Sequence, residues 1–254
     1  MSELRVEEHG HVRLVVFDNP PVNAMSPEWD IQGTFDAITA DEEARVVVIT
    51  GQGDRVFCAG ADIKAAARGD RALRPERTGS REGRENFYSI MECAVPVIGA
   101  INGPALGAGL AIAASCDYLI ASERAVFGLP EIDVGLLGGA RHAMRLFPQH
   151  VVRMMHYTAR RLDAQEAYRL GAVDRVTPVE DLLDVAMAEA EEIASKMPIG
   201  IRLAKENLNL IEDMDLRNGY RFEQTRTAIL QRTEDAQEAK LAFAEKRQPN
   251  YVGR

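Results

Sequence analysis

The chain has 254 residues, of which 46% are hydrophobic and 27% charged, enough to bury a sizeable core and too apolar for wholesale disorder. Its net charge of −9 disfavours nucleic acid as the main partner, because neutralising phosphates takes a basic surface. Met1-Ser2-Glu3-Leu4-Arg5 leads straight into an alternating stretch without an apolar signal core, and Pro and Gly break every long apolar run. The cysteines Cys58, Cys93 and Cys116 form no CxxC spacing, so a cytoplasmic protein without disulfides, zinc site or membrane partner is expected.

In chain order, Val12–Phe17 and Arg45–Thr50 are short β-branched runs that read as strands. Between them Pro27–Ala40 reads as a helix, with Asn19-Pro20-Pro21 breaking the chain before it and Ser26-Pro27 supplying an N-cap and a first-turn proline. Val95–Ile101 has the continuous apolar character of a buried strand, Gly107–Ala114 that of a small-residue helix, and Asp117–Ala121 that of another strand. After about residue 140 helices dominate: Val151–Thr158, Ala164–Leu170, Val179–Met197, Ile199–Ile211 and Asp215–Glu245, with a short strand near Val173–Val176. The chain thus divides into an α/β core over residues 1–195 and a helical region over 196–254, with no internal repeat and no low-complexity linker.

One segment departs from the acidic balance. Arg68, Arg71, Arg74, Arg77, Arg81 and Arg84 are opposed only by Asp70, Glu76 and Glu82. Two readings fit: a solvated charged loop, or a local lip that attracts a phosphate-bearing ligand.

Three stretches carry candidate chemistry. Phe57-Cys58-Ala59-Gly60-Ala61-Asp62-Ile63-Lys64 reads as a strand ending in small residues before a helix, a turn that presents N–H groups to oxygen anions. Asn102-Gly103-Pro104-Ala105-Leu106-Gly107-Ala108-Gly109-Leu110 leaves its backbone uncovered ahead of another helix. Tight packing alone would explain either stretch. The third, Phe127-Gly128-Leu129-Pro130-Glu131-Ile132 followed by Gly135 and Gly138-Gly139, sets a carboxylate among apolar neighbours. Such a Glu is either a surface charge or an acid/base whose pKa is raised by desolvation.

In this order and spacing the three stretches resemble the enoyl-CoA hydratase/isomerase (crotonase) family, from Asn19-Pro20-Pro21-Val22-Asn23-Ala24 to Ala242-Phe243-Ala244-Glu245-Lys246-Arg247. The resemblance implies a ClpP-like spiral of ββα units with a C-terminal helical region that drives formation of a homotrimer, often a dimer of trimers. It implies an acyl-CoA substrate of fatty acid or carboxylic acid metabolism, and no metal or redox cofactor, coenzyme A being part of the substrate. It puts oxyanion-hole N–H groups on Ala61 and Ala108, CoA contacts along Ala59, Ala61, Asp62, Ile63 and Lys64, and the acid/base on Glu131. Fixed donors would stabilise the thioester oxygen as it gains charge, each contributing roughly 3–4 kcal/mol in the transition state.

Two departures from the family pattern matter. Two-carboxylate hydratases of the family carry one Glu just after the Gly-rich turn, where this chain has Ala111. Hydration needs one group for the water and one for the α-proton, whereas shifting a double bond needs a single base. Where hydratases line the acyl pocket with small residues, this chain reads Gly138-Gly139-Ala140-Arg141-His142. Arg141 and His142 either point to solvent or, with Gly139 and Ala111, line a polar acyl pocket; the remaining histidines, His156 among them, show no comparable context. Three functions are therefore expected alternatives: a hydratase/isomerase-type enzyme using Glu131, a hydrolase or C–C bond-cleaving enzyme acting on a cyclic or β-oxo acyl-CoA, and a catalytically weak CoA-binding scaffold.

Overall fold

The computed structural model describes residues 2–26, 28–61 and 78–254, with the side chains of 78–80 and 82 left aside. Among the described residues six strands form the main sheet: β1 (Glu3–His9), β2 (Val12–Asp18), β3 (Val46–Gly51), β4 (Val97–Ile101), β6 (Tyr118–Ser122) and β9 (Arg175–Thr177). They lie side by side in that order, β1 antiparallel to β2 and every later pair parallel. A second sheet orders the short strands β5 (Ala105–Leu106), β7 (Val126–Gly128) and β8 (Arg161–Asp163).

The uninterrupted apolar strands are buried on both faces, as parallel sheets require. Val15, Phe17, Val47, Ile49, Val97 and Ile101 point into a large core shared with helix α1 (Ile31–Ala40) and the second sheet. Their neighbours Leu14, Val16, Val46, Val48, Ile98 and Ala100 point to the opposite face. There α7 (Leu182–Ala194) covers the sheet with Leu182, Ala186, Ala190 and Ala194, a four-residue spacing that turns one narrow stripe of small side chains onto the strands.

Three differences from the expected elements have identifiable causes. Helix α1 begins at Ile31 because Asp30 caps it, its carboxylate accepting from Gly33 N–H at 2.8 Å, while Ser26 Oγ accepts from Glu28 N–H in a local turn. Asp215–Glu245 is two helices, α9 (Leu216–Leu230) and α10 (Glu234–Glu245), because Thr233 caps a new start by accepting from Ala236 N–H at 3.1 Å. Phe57–Ala61 is a crossing segment held by isolated bridges rather than the end of a strand, and Asp62, Ile63 and Lys64 lie outside the described residues.

The C-terminal helices begin firmly attached. Buried Lys205 on α8 (Pro198–Ile211) donates to Asp117 Oδ2 at 2.7 Å, and the same oxygen accepts from Val97 N–H at 2.6 Å. Arg202 adds bonds to the Asp41 and Ala44 carbonyls. Farther out, buried Asp235 accepts from Val252 and Gly253 N–H, folding the chain's end back onto α10. Cys58, Cys93 and Cys116 are free and buried. Among the described residues no helix is long and apolar enough to cross a membrane.

Candidate active site

The first two small-residue stretches interlock. Cys58 N–H donates to the Pro104 carbonyl at 3.1 Å and Leu106 N–H to the Cys58 carbonyl at 3.0 Å, so Phe57–Ala61 runs beside β5. On its other side Ala59 N–H reaches the Val22 carbonyl and Met25 N–H the Gly60 carbonyl. A Cβ added at Gly60, whose φ is +93°, would stand 2.8 Å from the Leu106 carbonyl oxygen and 3.5 Å from the Ala108 nitrogen. One at Gly109 would stand 2.1 Å from the Cys58 carbonyl oxygen. These glycines are contact points between two main-chain segments, where any side chain would push them apart.

This contact brings Gly60, which precedes Ala61, beside the start of the next helix. Ala108 opens helix α3 (Ala108–Ser115), so its N–H has no intrahelical acceptor. Ala61 faces Met25 in a parallel bridge in which Met25 uses its own N–H, leaving the Ala61 N–H directed away from that partner. Ala61 is exposed, and Ala59 and Ala108 are half-buried. The loop leading into this region is fixed by two buried asparagines: Asn23 donates to the Val56 carbonyl, and Asn102 to the Gly51 and Gly53 carbonyls.

Glu131 lies on a 3-10 helix, Pro130–Val134, which follows β7 and is closed by Gly135 at φ +71°. Its carboxylate points back towards the second glycine turn. Oε1 lies 2.9 Å from where a Cβ would stand on Gly107, 3.8 Å from that on Gly139 and 3.9 Å from that on Gly138. Gly107 also has φ +56°, so both its backbone and the carboxylate beside it require a residue without a side chain. The other oxygen, Oε2, is buried without a hydrogen-bond partner among the described residues. Desolvation raises the Glu131 pKa, opposed by its own backbone N–H and by the charge of His156.

His156 was not singled out by sequence reasoning. It sits on α5 (Gln149–Thr158), the helix packed against the 3-10 helix, and its Nδ1 is also buried without a partner among the described residues. Helical spacing held the signal: Val152 and Met155 face the core, and His156 follows them on the same side of the helix.

Of the acyl-pocket candidates, Ala111 is buried one turn into α3, its N–H bonded to the Gly107 carbonyl at 3.0 Å. Gly139 borders the Glu131 carboxylate and caps α4 (Ala140–Leu146) at φ +69°. Arg141 is exposed and lies 3.8 Å from Asp213, turned to solvent. His142 is half-buried edge-on to Phe87, ring centroids 5.0 Å apart, and its pKa is lowered by burial and by the charges of Arg145 and Arg141. Asp133 is exposed on the same 3-10 helix as Glu131. Cys58 and Cys116 thiols are pushed up by burial, to about 11 and about 12, which keeps them protonated and unreactive at neutral pH.

A helix N-terminus opened by Ala108, with the desolvated Glu131 carboxylate against the preceding Gly107, joins main-chain donors and an acid/base group at one glycine turn. Comparison with known proteins agrees in fold and family. The sequence profile of the enoyl-CoA hydratase/isomerase family matches residues 7–254, and the chain belongs to that family, with the α/β crotonase fold. Carnitinyl-CoA dehydratase of Proteus mirabilis (strain HI4320) is 35% identical over 264 residues, covering 100% of this chain and 99% of the relative. The same-named protein of Salmonella enteritidis PT4 is also 35% identical, over 266 residues and 100% of both chains. The crystal structure of an enoyl-CoA hydratase from Bacillus anthracis superposes with a TM-score of 0.92 at 34% identity, covering 99% of each chain. Pseudomonas aeruginosa DspI gives a TM-score of 0.92 at 32% identity, covering 98% of this chain and 96% of its own.

Proposed function

We propose that the chain is an acyl-CoA enzyme of hydratase/isomerase type, in which Ala61 and Ala108 N–H groups stabilise a thioester enolate and Glu131 exchanges a proton with the acyl chain. The observation that carries this reading is the Glu131 carboxylate. It is desolvated, its Oε1 lies against Gly107, and the next residue along, Ala108, opens a helix with a free N–H. A raised pKa lets one carboxyl group both take and return a proton near neutrality. The coenzyme A portion is assigned to Ala59–Lys64 and its phosphates to the arginine run from Arg68 to Arg84, of which residues 62–77 lie outside the described residues. No cofactor beyond the substrate takes part.

The carnitinyl-CoA dehydratases among the relatives favour addition or elimination of water as the reaction. The buried Ala111 favours a second reading, a single-carboxylate isomerase or hydrolase, because no second acid stands at that turn to hold water. An acyl-CoA panel read by mass separates them: gain or loss of water, a mass-neutral shift and ring opening are distinct. Replacing Ala111→Glu sharpens the result. Crotonyl-CoA hydration that is weak in the native protein and rises in this variant supports the second reading, and fast native hydration eliminates it. A folded protein that binds CoA thioesters and turns over none would make it a scaffold.

Self-association belongs to the same proposal. Leu208, Leu216 and Phe243 on the C-terminal helices are 63%, 90% and 87% exposed, an apolar display suited to burial against further copies of the chain as a trimer or a dimer of trimers. Sedimentation equilibrium distinguishes these from a monomer.

A further inference from the structure

Among the described residues, two polar atoms on adjoining elements are buried and unbonded: Glu131 Oε2 on the 3-10 helix and His156 Nδ1 on α5, the helix packed against it. Leaving a buried donor or acceptor unpaired is costly, so two of them on adjoining elements call for a common partner. They do not bond each other directly. The two groups also share a field, the His156 charge lowering the Glu131 pKa against the larger effect of desolvation.

We propose that His156 is the positioning residue for Glu131: a water bridges Nδ1 to Oε2 and holds the carboxylate with Oε1 turned to Gly107 and the α3 N-terminus. This rests on the reading of Glu131 as the acid/base and names the group that aims it. A water is the fitting bridge because it supplies both a donor for a carboxylate oxygen and an acceptor or donor for either imidazole state. The consequence is a division of labour within one carboxyl group. Oε2 is anchored, Oε1 is presented to substrate, and the proton-exchanging oxygen does not lose rotational order each cycle.

No other described charge competes for the role. On α5, His150, Arg153 and Tyr157 are exposed, Arg153 donating to the Tyr157 hydroxyl. On the 3-10 helix Asp133 is exposed. On α4, Arg141 lies near Asp213, Arg145 bonds the Ala114 carbonyl and lies 3.4 Å from Glu212, and His142 packs on Phe87. The Gly107 and Gly138-Gly139 turns carry no charge.

The test compares His156→Leu, which removes the hydrogen-bonding edge, with His156→Asn, whose amide keeps a polar group near the Nδ1 position. Glu131 is followed by carbon-13 NMR of protein labelled at the Glu side-chain carboxyl, its signal assigned by loss in Glu131→Gln. In His156→Leu the Glu131 titration should move to higher pH, because a group that favours its charged form is gone, and kcat should fall about tenfold with KM changed less than about twofold. His156→Asn should restore most of the lost kcat. A Glu131 titration and kcat unchanged in His156→Leu would overturn the proposal, as would His156→Asn failing to exceed His156→Leu. If His156→Leu does not fold, His156→Asn with a native titration and near-native kcat supports it, and with both shifted as in an uncoupled carboxyl overturns it. Failure of the underlying reading looks different: Glu131→Gln would keep its turnover, while in the protein with Glu131 intact His156→Leu still moved the Glu131 titration.

Discussion

The wall of the site around Gly60, Gly107 and Gly109 is made of main chain, whereas the wall around Glu131 and His156 is made of side chains carried on two short helices. The first wall works by proximity. Its donors are peptide groups present in any sequence, and its glycines serve to let the segments approach. The second works by environment, because a Glu is an ordinary surface acid until packing removes water from it. Substitutions at the main-chain wall should therefore act through space and donors, and those at the side-chain wall through protonation.

Glu131→Gln is the largest expected effect. It preserves size and hydrogen-bonding shape while ending proton exchange, so kcat should fall about 10²–10⁴-fold, with CoA-thioester affinity by calorimetry essentially unchanged. A variant that loses affinity in parallel with turnover would assign Glu131 to binding instead. Next comes Ala108→Pro, which deletes one donor of the main-chain wall. Proline is tolerated at the first helical position, so the fold should survive while kcat drops about 10²–10³-fold. Unchanged activity in the folded variant would show that this N–H is not a donor to the substrate.

Gly107→Ala sits where the two walls meet. The new methyl would stand 2.9 Å from Glu131 Oε1 on a backbone at φ +56°, so urea unfolding should show a loss of about 1–3 kcal/mol together with reduced kcat. A variant with native stability would mean that the turn relaxes freely. The smallest effect is on the pH dependence of stability. Glu131 has its folded-state pKa raised above the unfolded value, so its folded form holds the proton more tightly. Its contribution favours folding at acid pH and is lost as pH rises through the folded-state value. Glu131→Gln should accordingly be more stable than the native chain at neutral pH, with the gap closing at acid pH. A constant gap across pH would mean that desolvation of the carboxylate is not the cause.

The same contrast separates what was readable in the sequence from what was not. The strands β2, β3, β4 and β6 and the helix α3 were readable because continuous β-branched or small-residue runs have few alternative burials. The glycine turns were readable through spacing, and with Glu131 they identified the family. The strands β7 and β8 were not, because three residues carry no period and neither has the β-branched run that marked the neighbourhood of β9. The break at Thr233 was hidden inside a good helical run, since a single capping hydroxyl decides it.

Composition and motif order by themselves determined an α/β chain of the hydratase/isomerase family, and marked Glu131 beside glycine turns as the candidate acid, with Ala111 where a second acid is expected. Tertiary structure alone decided which way the side chains face. It turned Arg141 towards Asp213 and solvent, packed His142 on Phe87, and brought His156, twenty-five positions beyond Glu131 by their numbers in the chain, to the back of the acid's own helix. The physical reason is that backbone geometry is a local property, set by which residues tolerate a turn. The solvation and charge of a carboxylate depend on whatever distant segments pack around it, and no local pattern specifies them.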